Sequence, residues 1–516
     1  MNQFINRRSF LLSASSASAL PLISTDVTAA IRRQFKFATY PFRLGIASGD
    51  PSADGFVIWT RLAPKPLEGG GMPAELIEVS WEVANDEKMT QIIRKGTTVA
   101  SPQLAHSVHV ELEGLDPDRW YWYRFKAGTE ISQVGRARTM PTAEAEPKQL
   151  RFAFASCQHY ESGYYAAYRH ILSQNLDMII HLGDYIYEGG GAKNKLRRHV
   201  GPELMSLDQY RNRYAQYKTD EDLQAAHAAY PWFVTWDDHE FDNNYANAIS
   251  EQPNVAVTDF LRRRANAYQA YYEHMPLRRR SFPHGPDMRL YQRASFGRLA
   301  DFFVLDTRQY RTDQPNGDGL KPLVGDVFNP NATILGLKQR KWLQAGLLKS
   351  ESIWNVIPQQ VLMARVDRIP GDKEIFVMDK WSGYDFERQG LMQFLHERRV
   401  PNPIVLTGDV HSNFVCDLKL DYDKPDSPTV GAEFVGTSIS SGGKGSLKLS
   451  YTDGMLAENP FLKFHNAERG YVTCTVTPKE WRSDYEVVAD VTKRNSAVKT
   501  RASFVVEAGR PGVVQA

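Results

Sequence analysis

The stretch from Ile179 to Glu188 constrains the fold most strongly. It reads Ile-Ile-His-Leu-Gly-Asp-Tyr-Ile-Tyr-Glu, so an apolar, β-branched run ends in Gly-Asp. A buried strand offers a carboxylate no solvation, so an Asp at its carboxyl end points into the crevice above an open α/β sheet, where ligands bind. Asp184 is therefore a candidate metal ligand. If the chain turns helically after Gly183, the phenol of Tyr187 returns to the Asp side. The alternative is that Asp184 caps a helix and Tyr187 packs on its first turn.

Length and composition indicate a large globular protein. The chain has 516 residues, of which 42% are hydrophobic and 11% aromatic, enough for a substantial core. With 62 basic and 60 acidic residues, the formal charge of +2 gives no electrostatic reason to expect a nucleic-acid partner or an anionic membrane surface. Only three cysteines occur, which argues against a disulfide framework and leaves at least one thiol free for packing or metal ligation. We expect a monomer.

The amino terminus is similar to a twin-arginine export signal. Arg7 and Arg8 precede a short apolar segment rich in Ala and Ser, and Val27-Thr28-Ala29 is a plausible cleavage site. An ordinary secretory signal is the alternative. No stretch approaches the length of about 18 apolar residues that a membrane span needs. We therefore predict that residues 1–30 are a signal, that the export machinery is a partner, and that the protein is periplasmic or secreted.

Two folding units are predicted after the signal, with a linker near residues 141–147. Between residues 40 and 141, short runs alternate with period two and are separated by turn residues, which indicates an all-β sandwich of immunoglobulin or fibronectin type. The clearest such runs are 55–60, 77–83, 106–112 and 120–125. Residues 148–510 then alternate strands and helices, which predicts an α/β domain with a largely parallel core. Its predicted strands are 150–155, 178–182, 232–236, 300–305, 354–361, 404–407 and 434–436, with helices at 164–173, 208–226 and 262–274 and further strands after 471.

Four predicted strand ends in the α/β domain carry polar residues suited to a metal site. They are Ser156-Cys157-Gln158-His159, Gly183-Asp184-x-x-Tyr187, Asp237-Asp238-His239-Glu240 and Gly408-Asp409-Val410-His411. Their order and content resemble the metallophosphoesterase superfamily. In the purple acid phosphatase pattern an Asp stands at the first strand end, followed by GD-x-x-Y, GNHE and GH-x-H. The departures at 157, 238 and 409 are similar to the PhoD-type alkaline phosphatases and the related phospholipase D.

This resemblance implies a fold, an activity and a set of ligands. The fold is α/β, a metallophosphoesterase-type β-sandwich core flanked by helices and preceded by the all-β domain. The implied substrates are phosphate monoesters and diesters, and the implied activity is their hydrolysis by a metal-activated water. The implied metal ligands are Cys157, Asp184, Tyr187, Asp238, Asp409 and His411, and the implied ions are ferric iron, Fe(3+), with calcium, Ca(2+).

The chemistry of the ligands agrees with two unlike ions. A ferric ion prefers anionic donors, which Cys157, Tyr187 and Asp184 supply, with His411 as a neutral fourth. A hard divalent ion prefers oxygen, which Asp184 as a bridge, Asp238 and Asp409 offer. Each cysteine or aspartate taken alone has a structural alternative, since a buried thiol is commonly a small hydrophobe.

The remaining residues have substrate roles or open roles. In the resembled motif His239 meets the substrate, so we predict it as the catalytic acid. Arg308 is predicted to bind the substrate phosphate, with a salt bridge to Asp306 as the alternative. The roles of Asp237, His159, Asn243 and Asn244 stay open, as does the preferred ester. Competing functions are a phospholipase D acting on lipid head groups and, from another class, a surface-binding protein with a degenerate catalytic domain.

Overall fold

The computed structural model describes residues 35–516. The predicted export signal at residues 1–30 lies outside the described residues. Within residues 35–516, no helix combines the length and the hydropathy that crossing a membrane requires.

The amino-terminal part of the described chain is built from strands. They are β1 Ile46–Ser52, β2 Gly55–Arg61, β3 Ile77–Ala84, β4 Ile92–Ala100, β5 Ser107–Leu112, β6 Trp120–Ala127, β7 Glu130–Ile131 and β8 Gly135–Arg138. The four alternating runs of the sequence are β2, β3, β5 and β6, so these predicted strands are confirmed. In β6 the alternation of half-buried and buried residues matches the period of two.

Strands and helices then alternate up to the second half of the chain. The elements are β9 Leu150–Ala155, α1 Ala166–Ile171, β10 Met178–His181, α2 Leu207–Lys218, α3 Glu221–Ala229, β11 Pro231–Val234, α4 Val257–His274, β12 Gln292–Phe296, β13 Ala300–Val304, β14 Leu320–Lys321, α5 Gly336–Lys349, β15 Trp354–Pro358, β16 Phe376–Val377, α6 Asp385–Glu397 and β17 Pro403–Thr407.

The carboxyl-terminal part is again mostly strand. It contains β18 Asn413–Lys419, β19 Thr429–Val435, β20 Gly445–Ser446, α7 Thr452–Glu458, β21 Leu462–Glu468, β22 Gly470–Val476, β23 Glu480–Val488, β24 Val498–Glu507 and β25 Arg510–Gln515. The predicted single helix 208–226 is wrong in one respect, because it is two helices. The first ends at Lys218, and Asp220 caps the second by accepting hydrogen bonds from the backbone N–H groups of Asp222 (3.1 Å) and Leu223 (3.2 Å).

Two large sheets pack face to face and form the core. One has the order β25-β24-β23-β22-β9-β10-β11-β1-β2-β5, and the other has the order β12-β13-β15-β17-β19-β18-β21-β20. Strands β9, β10 and β11 are mutually parallel, as are β13, β15, β17 and β19. Fully buried side chains of both sheets meet in one apolar layer, among them Phe152 and Ile180 from the first sheet and Ile404 and Phe434 from the second. The predicted metallophosphoesterase-type sandwich is therefore confirmed.

Helices cover the outer faces of the two sheets. Helices α1 to α4 contribute to the apolar cluster outside β9, β10 and β11, while α5 and α6 contribute to the cluster outside the second sheet. Both faces of the parallel strands are buried, which explains why these strands read as continuous apolar runs.

The amino-terminal strands are divided between two sheets. Strands β3, β4, β6, β7 and β8 form a separate antiparallel sheet, but β1 pairs in parallel with β11 and brings β2 and β5 into the ten-stranded sheet. The two sheets enclose a shared core that includes Phe56, Val79 and Tyr123. The amino-terminal sandwich thus shares one sheet with the rest of the protein. Period-two patterning predicts strands, but it carries no signal for the partner of an edge strand.

Candidate metal centre

The four predicted strand ends converge at one edge of the sandwich. The loops follow the carboxyl ends of β9, β10, β11 and β17, and parallel strands bring those ends to the same edge. Four of the predicted ligands have left-handed backbone conformations, with φ of 59° at Cys157, 56° at Asp184, 64° at Asp409 and 53° at His411. Such conformations cost on the order of 1–3 kcal/mol each for residues other than glycine and cluster at functional sites.

Two glycines allow these loops to approach one another closely. Gly183 has a φ of +109°, and a Cβ there would lie 2.5 Å from the Cβ of Asp237. A Cβ on Gly408 would lie 2.6 Å from the hydroxyl oxygen of Ser156. Only glycine avoids both clashes. Backbone hydrogen bonds then join the first two loops, from Cys157 N to Gly183 O (3.1 Å) and from Gln158 N to Asp184 O (3.1 Å).

A thiol, a carboxylate and an imidazole form the first part of the site. Ligand atoms of Cys157, Asp184 and His411 all lie within 4.8 Å of one another. The Tyr187 hydroxyl donates to Asp184 Oδ2 (2.9 Å), lies 3.3 Å from His411 Nε2 and accepts a hydrogen bond from Ser441 Oγ (2.7 Å). The structure thus brings the predicted iron ligands together.

The conformation that joins Asp184 to Tyr187 differs from both sequence interpretations. Residues 184–187 form no helix, because Asp184 adopts a positive φ. The predicted helical turn is therefore wrong, as is the alternative of Asp184 as a helix cap. The phenol reaches the carboxylate through an irregular turn instead.

The protonation equilibria of this part of the site favour neutral groups in the protein alone. Burial, reinforced by the Asp184 carboxylate, raises the pKa of the Cys157 thiol and of the Tyr187 phenol well above their ordinary values. Burial likewise raises the pKa of Asp184, and its Oδ1 atom is buried without a hydrogen-bond partner among the described residues. A bound cation would reverse these shifts, because it stabilises each anion. The unpartnered oxygen and the anionic donor set fit a metal ion.

Carboxylates form the second part of the site. Ligand atoms of Asp184, Asp238 and His239 lie within 4.8 Å of one another. Asp238 accepts hydrogen bonds from the backbone N–H groups of His239 (2.9 Å) and Asn244 (2.9 Å). Burial acts to raise the pKa of Asp238, but Arg308 and His239 outweigh it and hold the pKa well below its ordinary value. Asp238 is therefore an ionised oxygen donor, and Asn244 orients it through its backbone.

Arg308 lies beneath the carboxylates instead of in the open site. Its side chain is fully buried, its Nε donates to Asp237 Oδ1 (2.5 Å) and its Nη1 donates to Asp379 Oδ1 (2.7 Å). Nη2 lies 3.4 Å from Asp238 Oδ2 and 3.9 Å from Asp409 Oδ1. The guanidinium that was predicted to bind phosphate is thus shielded from solvent. Its salt bridges are with Asp237 and Asp379 and not with Asp306, the alternative partner. Asp237, whose role was left open by the sequence, is thus a buried partner of Arg308.

His239 stands at the opening of the site. Its side chain is 22% exposed, and its Nδ1 lies 2.8 Å from Glu188 Oε2. The other oxygen of Glu188 accepts a hydrogen bond from the backbone N–H of Asn243 (3.0 Å). The His239 ring also lies against the Tyr187 ring at a centroid distance of 4.2 Å. Burial lowers the pKa of His239, but Glu188 and Asp238 raise it well above its ordinary value, so the imidazolium is favoured.

Two glutamates of the site were not found from the sequence. Glu188 fixes the His239 ring, and Glu240 accepts backbone hydrogen bonds from Asp184 (3.0 Å), Tyr185 (2.6 Å) and Asp237 (2.9 Å). Glu240 therefore joins two ligand loops. Glu188 directly follows Tyr187 and Glu240 directly follows His239. Their positions next to predicted site residues could have indicated that they belong to the site.

His159 lies outside the group formed by Cys157, Asp184 and His411. Its ring packs edge-on against Tyr187 at 4.4 Å, and its Nδ1 lies 3.2 Å from the Ser162 hydroxyl. Its ring also approaches His199, whose two nitrogens already contact Gly189 O and the Tyr217 hydroxyl. His159 thus packs against Tyr187 and covers one side of its ring.

Comparison with known proteins agrees with this geometry. Residues 152–485 match the family model described as PhoD-like phosphatase, and residues 27–141 match the model described as PhoD-like phosphatase, N-terminal domain. The chain belongs to the PhoD-like phosphatase family. It is 50% identical to alkaline phosphatase D of Bacillus subtilis (strain 168), over 99% of this chain and 89% of that protein. A solved structure described as that of PhoD superposes with a TM-score of 0.91 at 52% identity, over 93% of each chain.

Family membership confirms two sequence predictions. The fold is that of a PhoD-like phosphatase, and the chain is a phosphoric ester hydrolase. This PhoD-like phosphatase has its candidate ligands where the family model matches, since residues 157 to 411 all lie within 152–485.

Proposed function

We propose that this PhoD-like phosphatase hydrolyses phosphate monoesters and diesters with a water molecule activated by two metal ions. Cys157, Tyr187, Asp184 and His411 would hold one ion, and Asp184, Asp238 and Asp409 the other. Bound ions would neutralise the anionic ester and acidify the attacking water. The observation that carries the proposal is Asp184, which belongs both to the group with Cys157 and His411 and to the group with Asp238 and His239. Its buried Oδ1 atom has no hydrogen-bond partner among the described residues.

The donor sets favour ferric iron in the first position and calcium in the second. Thiolate, phenolate and carboxylate are anionic donors suited to iron, whereas aspartate oxygens suit calcium. Elemental analysis of protein purified without chelator should find both metals, and a charge-transfer band should colour the sample. A colourless, fully active protein that contains only zinc would contradict this assignment.

His239 would protonate the leaving alkoxide. Its imidazolium is favoured by Glu188 and Asp238, and the bond from Nδ1 to Glu188 leaves Nε2 as the nitrogen available to the substrate. General acid help is typically about 10²–10⁴-fold, so His239→Ala should lose roughly that in turnover for esters with poor leaving groups. Esters of acidic phenols need less protonation and should lose less.

The test compares His239→Ala with wild type over a series of leaving-group pKa values, with bound metal measured in parallel. His396→Ala is the matched control, because His396 is exposed on α6. Unchanged metal content with a steeper dependence on leaving-group pKa supports the acid role. Lost metal with an unchanged slope would instead make His239 a support for Asp238.

The amino-terminal sequence supports a proposal for the cellular setting. We propose that the twin-arginine machinery exports the folded protein and that it acts as a monomer in the periplasm or outside the cell. The Arg7-Arg8 pair and the apolar segment after it support the export part of this proposal. Replacing both arginines by lysine should retain the protein in the cytoplasm, and unimpaired export of that variant would contradict it.

A further inference from the structure

Lys380 is a cation placed among the carboxylates that the proposed function assigns to a metal ion. Its ammonium forms ion pairs with Asp409 Oδ2 and with Asp379 Oδ2, the latter at 3.2 Å. The side chains of Lys380 and Asp409 are only 12% and 11% exposed. Neither Lys380 nor Asp379 belongs to a motif found in the sequence.

Asp379 anchors the lysine in this position. Its Oδ1 atom accepts hydrogen bonds from Arg308 Nη1 (2.7 Å), Arg311 Nη1 (2.7 Å) and Gln314 Nε2 (2.8 Å). The carboxylate is 1% exposed and so has little freedom to move. Because Asp379 is fixed and its Oδ2 atom pairs with the Lys380 ammonium, the ammonium is held beside Asp409.

The charges of this region are largely balanced by the protein itself. The carboxylates of Asp237, Asp238, Asp379 and Asp409 face the cationic side chains of Arg308, Arg311 and Lys380. The two arginines are buried and paired to carboxylates beneath the site. Lys380 is the cation of this group that contacts Asp409 from the partly exposed side.

We propose that Lys380 competes with the oxygen-preferring metal ion for Asp409 and thereby sets the affinity of the site for that ion. The proposal rests on the proposed function, because it takes Asp409 as a ligand. A divalent ion that binds Oδ2 of Asp409 would have to displace the ammonium, and an ion that binds either oxygen would lie near a like charge. Both effects weaken binding of the ion. Lys380 acts through Asp409 and is a positioning residue.

Removal of the lysine charge should therefore tighten calcium binding. Coupling free energies between two sites typically change an affinity about 5–150-fold, and on that scale we expect Lys380→Gln to bind calcium about 10–100-fold more tightly than wild type. Lys380→Met, which keeps the length of the side chain, should behave similarly. Lys380→Arg retains the charge and should stay near wild type. In an Asp409→Asn background, the effect of Lys380→Gln should disappear.

Isothermal titration of the full-length protein with calcium chloride tests the proposal. Lys373→Gln is the matched control, since Lys373 is an exposed lysine in the same segment and its removal changes the net charge equally. Thermal melts by circular dichroism establish that each variant is folded. Tighter binding in the Gln and Met variants alone supports the proposal, whereas equal affinity in wild type, Lys380→Gln and Lys373→Gln overturns it. Phosphatase activity after chelation is measured separately and decides the metal dependence of the reaction, so the two proposals can fail independently.

Discussion

Replacing Asp379 by Asn should destabilise the protein strongly, because this carboxylate neutralises a buried cluster of cations. It contacts the guanidinium groups of Arg308 and Arg311 at 2.7 Å each and the ammonium of Lys380 at 3.2 Å. Burial acts to raise the pKa of Asp379, but these three cations outweigh burial and hold the pKa well below its ordinary value. The fold therefore favours the ionised carboxylate.

The magnitude follows from the contacts that the substitution weakens. Asn keeps an oxygen at the position of Oδ1 but removes the charge, and three hydrogen bonds between charged groups are worth up to about 1.5–3 kcal/mol each. Part of this is offset because the carboxylate no longer has to be desolvated. Removing one partner of a buried ion pair typically costs about 3–5 kcal/mol, and we expect a loss in that range.

Unfolding in guanidinium chloride at pH 8, followed by tryptophan fluorescence, measures this loss. Asp372→Asn is the matched control, because Asp372 is exposed in the same segment, and it should change the free energy of unfolding by no more than about 0.5 kcal/mol. Since the pKa of Asp379 is lowered in the folded state, its contribution is complete above the unfolded pKa and disappears as the pH falls through the folded pKa. The two variants should therefore differ by a constant amount from pH 6 to pH 8. An Asp379→Asn variant as stable as the control would refute the reasoning.

Three further substitutions test other parts of the structure. Cys157→Ser should keep the thermal midpoint within a few degrees while iron content and turnover fall together, and retained iron with full turnover would make Cys157 a core residue only. Glu188→Gln should lower turnover about 10–100-fold, because Glu188 supports only part of the general acid contribution of His239, and elemental analysis should find the metal content unchanged. Unchanged turnover would contradict the role of the Glu188–His239 pair. Burial lowers the pKa of Lys218 to about 7 from 10.5, so between those values the unfolded chain holds a proton that the folded chain lacks, and wild-type stability rises with pH. This pKa difference corresponds to about 5 kcal/mol below pH 7, but Lys218→Met also loses the contacts of the ammonium with the rings of Trp59 and Tyr185. Lys218→Met should therefore be more stable than wild type by about 2–4 kcal/mol at pH 6, with the difference vanishing near pH 10.5 in denaturant titrations; a pH-independent difference would refute this.

The sequence predicted the elements of the fold better than their assembly. Apolar runs such as 150–155 and 178–182 coincide with buried parallel strands, because a strand covered on both faces needs apolar residues throughout. Alternation predicted the amino-terminal strands for a different reason, because a strand that is buried on one face needs apolar residues only at every second position. The pairing of β1 with β11 was not predictable, because backbone hydrogen bonds between distant strands leave no mark in the residue types of either one.

The candidate site was predictable where chemistry requires a particular residue at a particular strand end. Cys157, Asp184, Tyr187 and His411 are in this class, and the structure brings them together. The supporting groups were not predictable in the same way. Asp379 and Lys380 approach the site from a segment far from every motif, and their roles depend on ion pairs that only the folded chain forms.

The position of Arg308 beneath the carboxylates shows how these supporting groups act together. An arginine after a strand suits a phosphate contact, but several aspartates brought to one edge repel one another and need counter-charge before any ion or substrate arrives. Arg308 supplies it from below, where full burial strengthens each ion pair and prevents exchange with solvent. The open side of the carboxylates is then left to partners that can leave, the ammonium of Lys380 or a metal ion. The Arg308 guanidinium and the Lys380 ammonium therefore both neutralise the aspartates, but only the ammonium can move away when a metal ion binds.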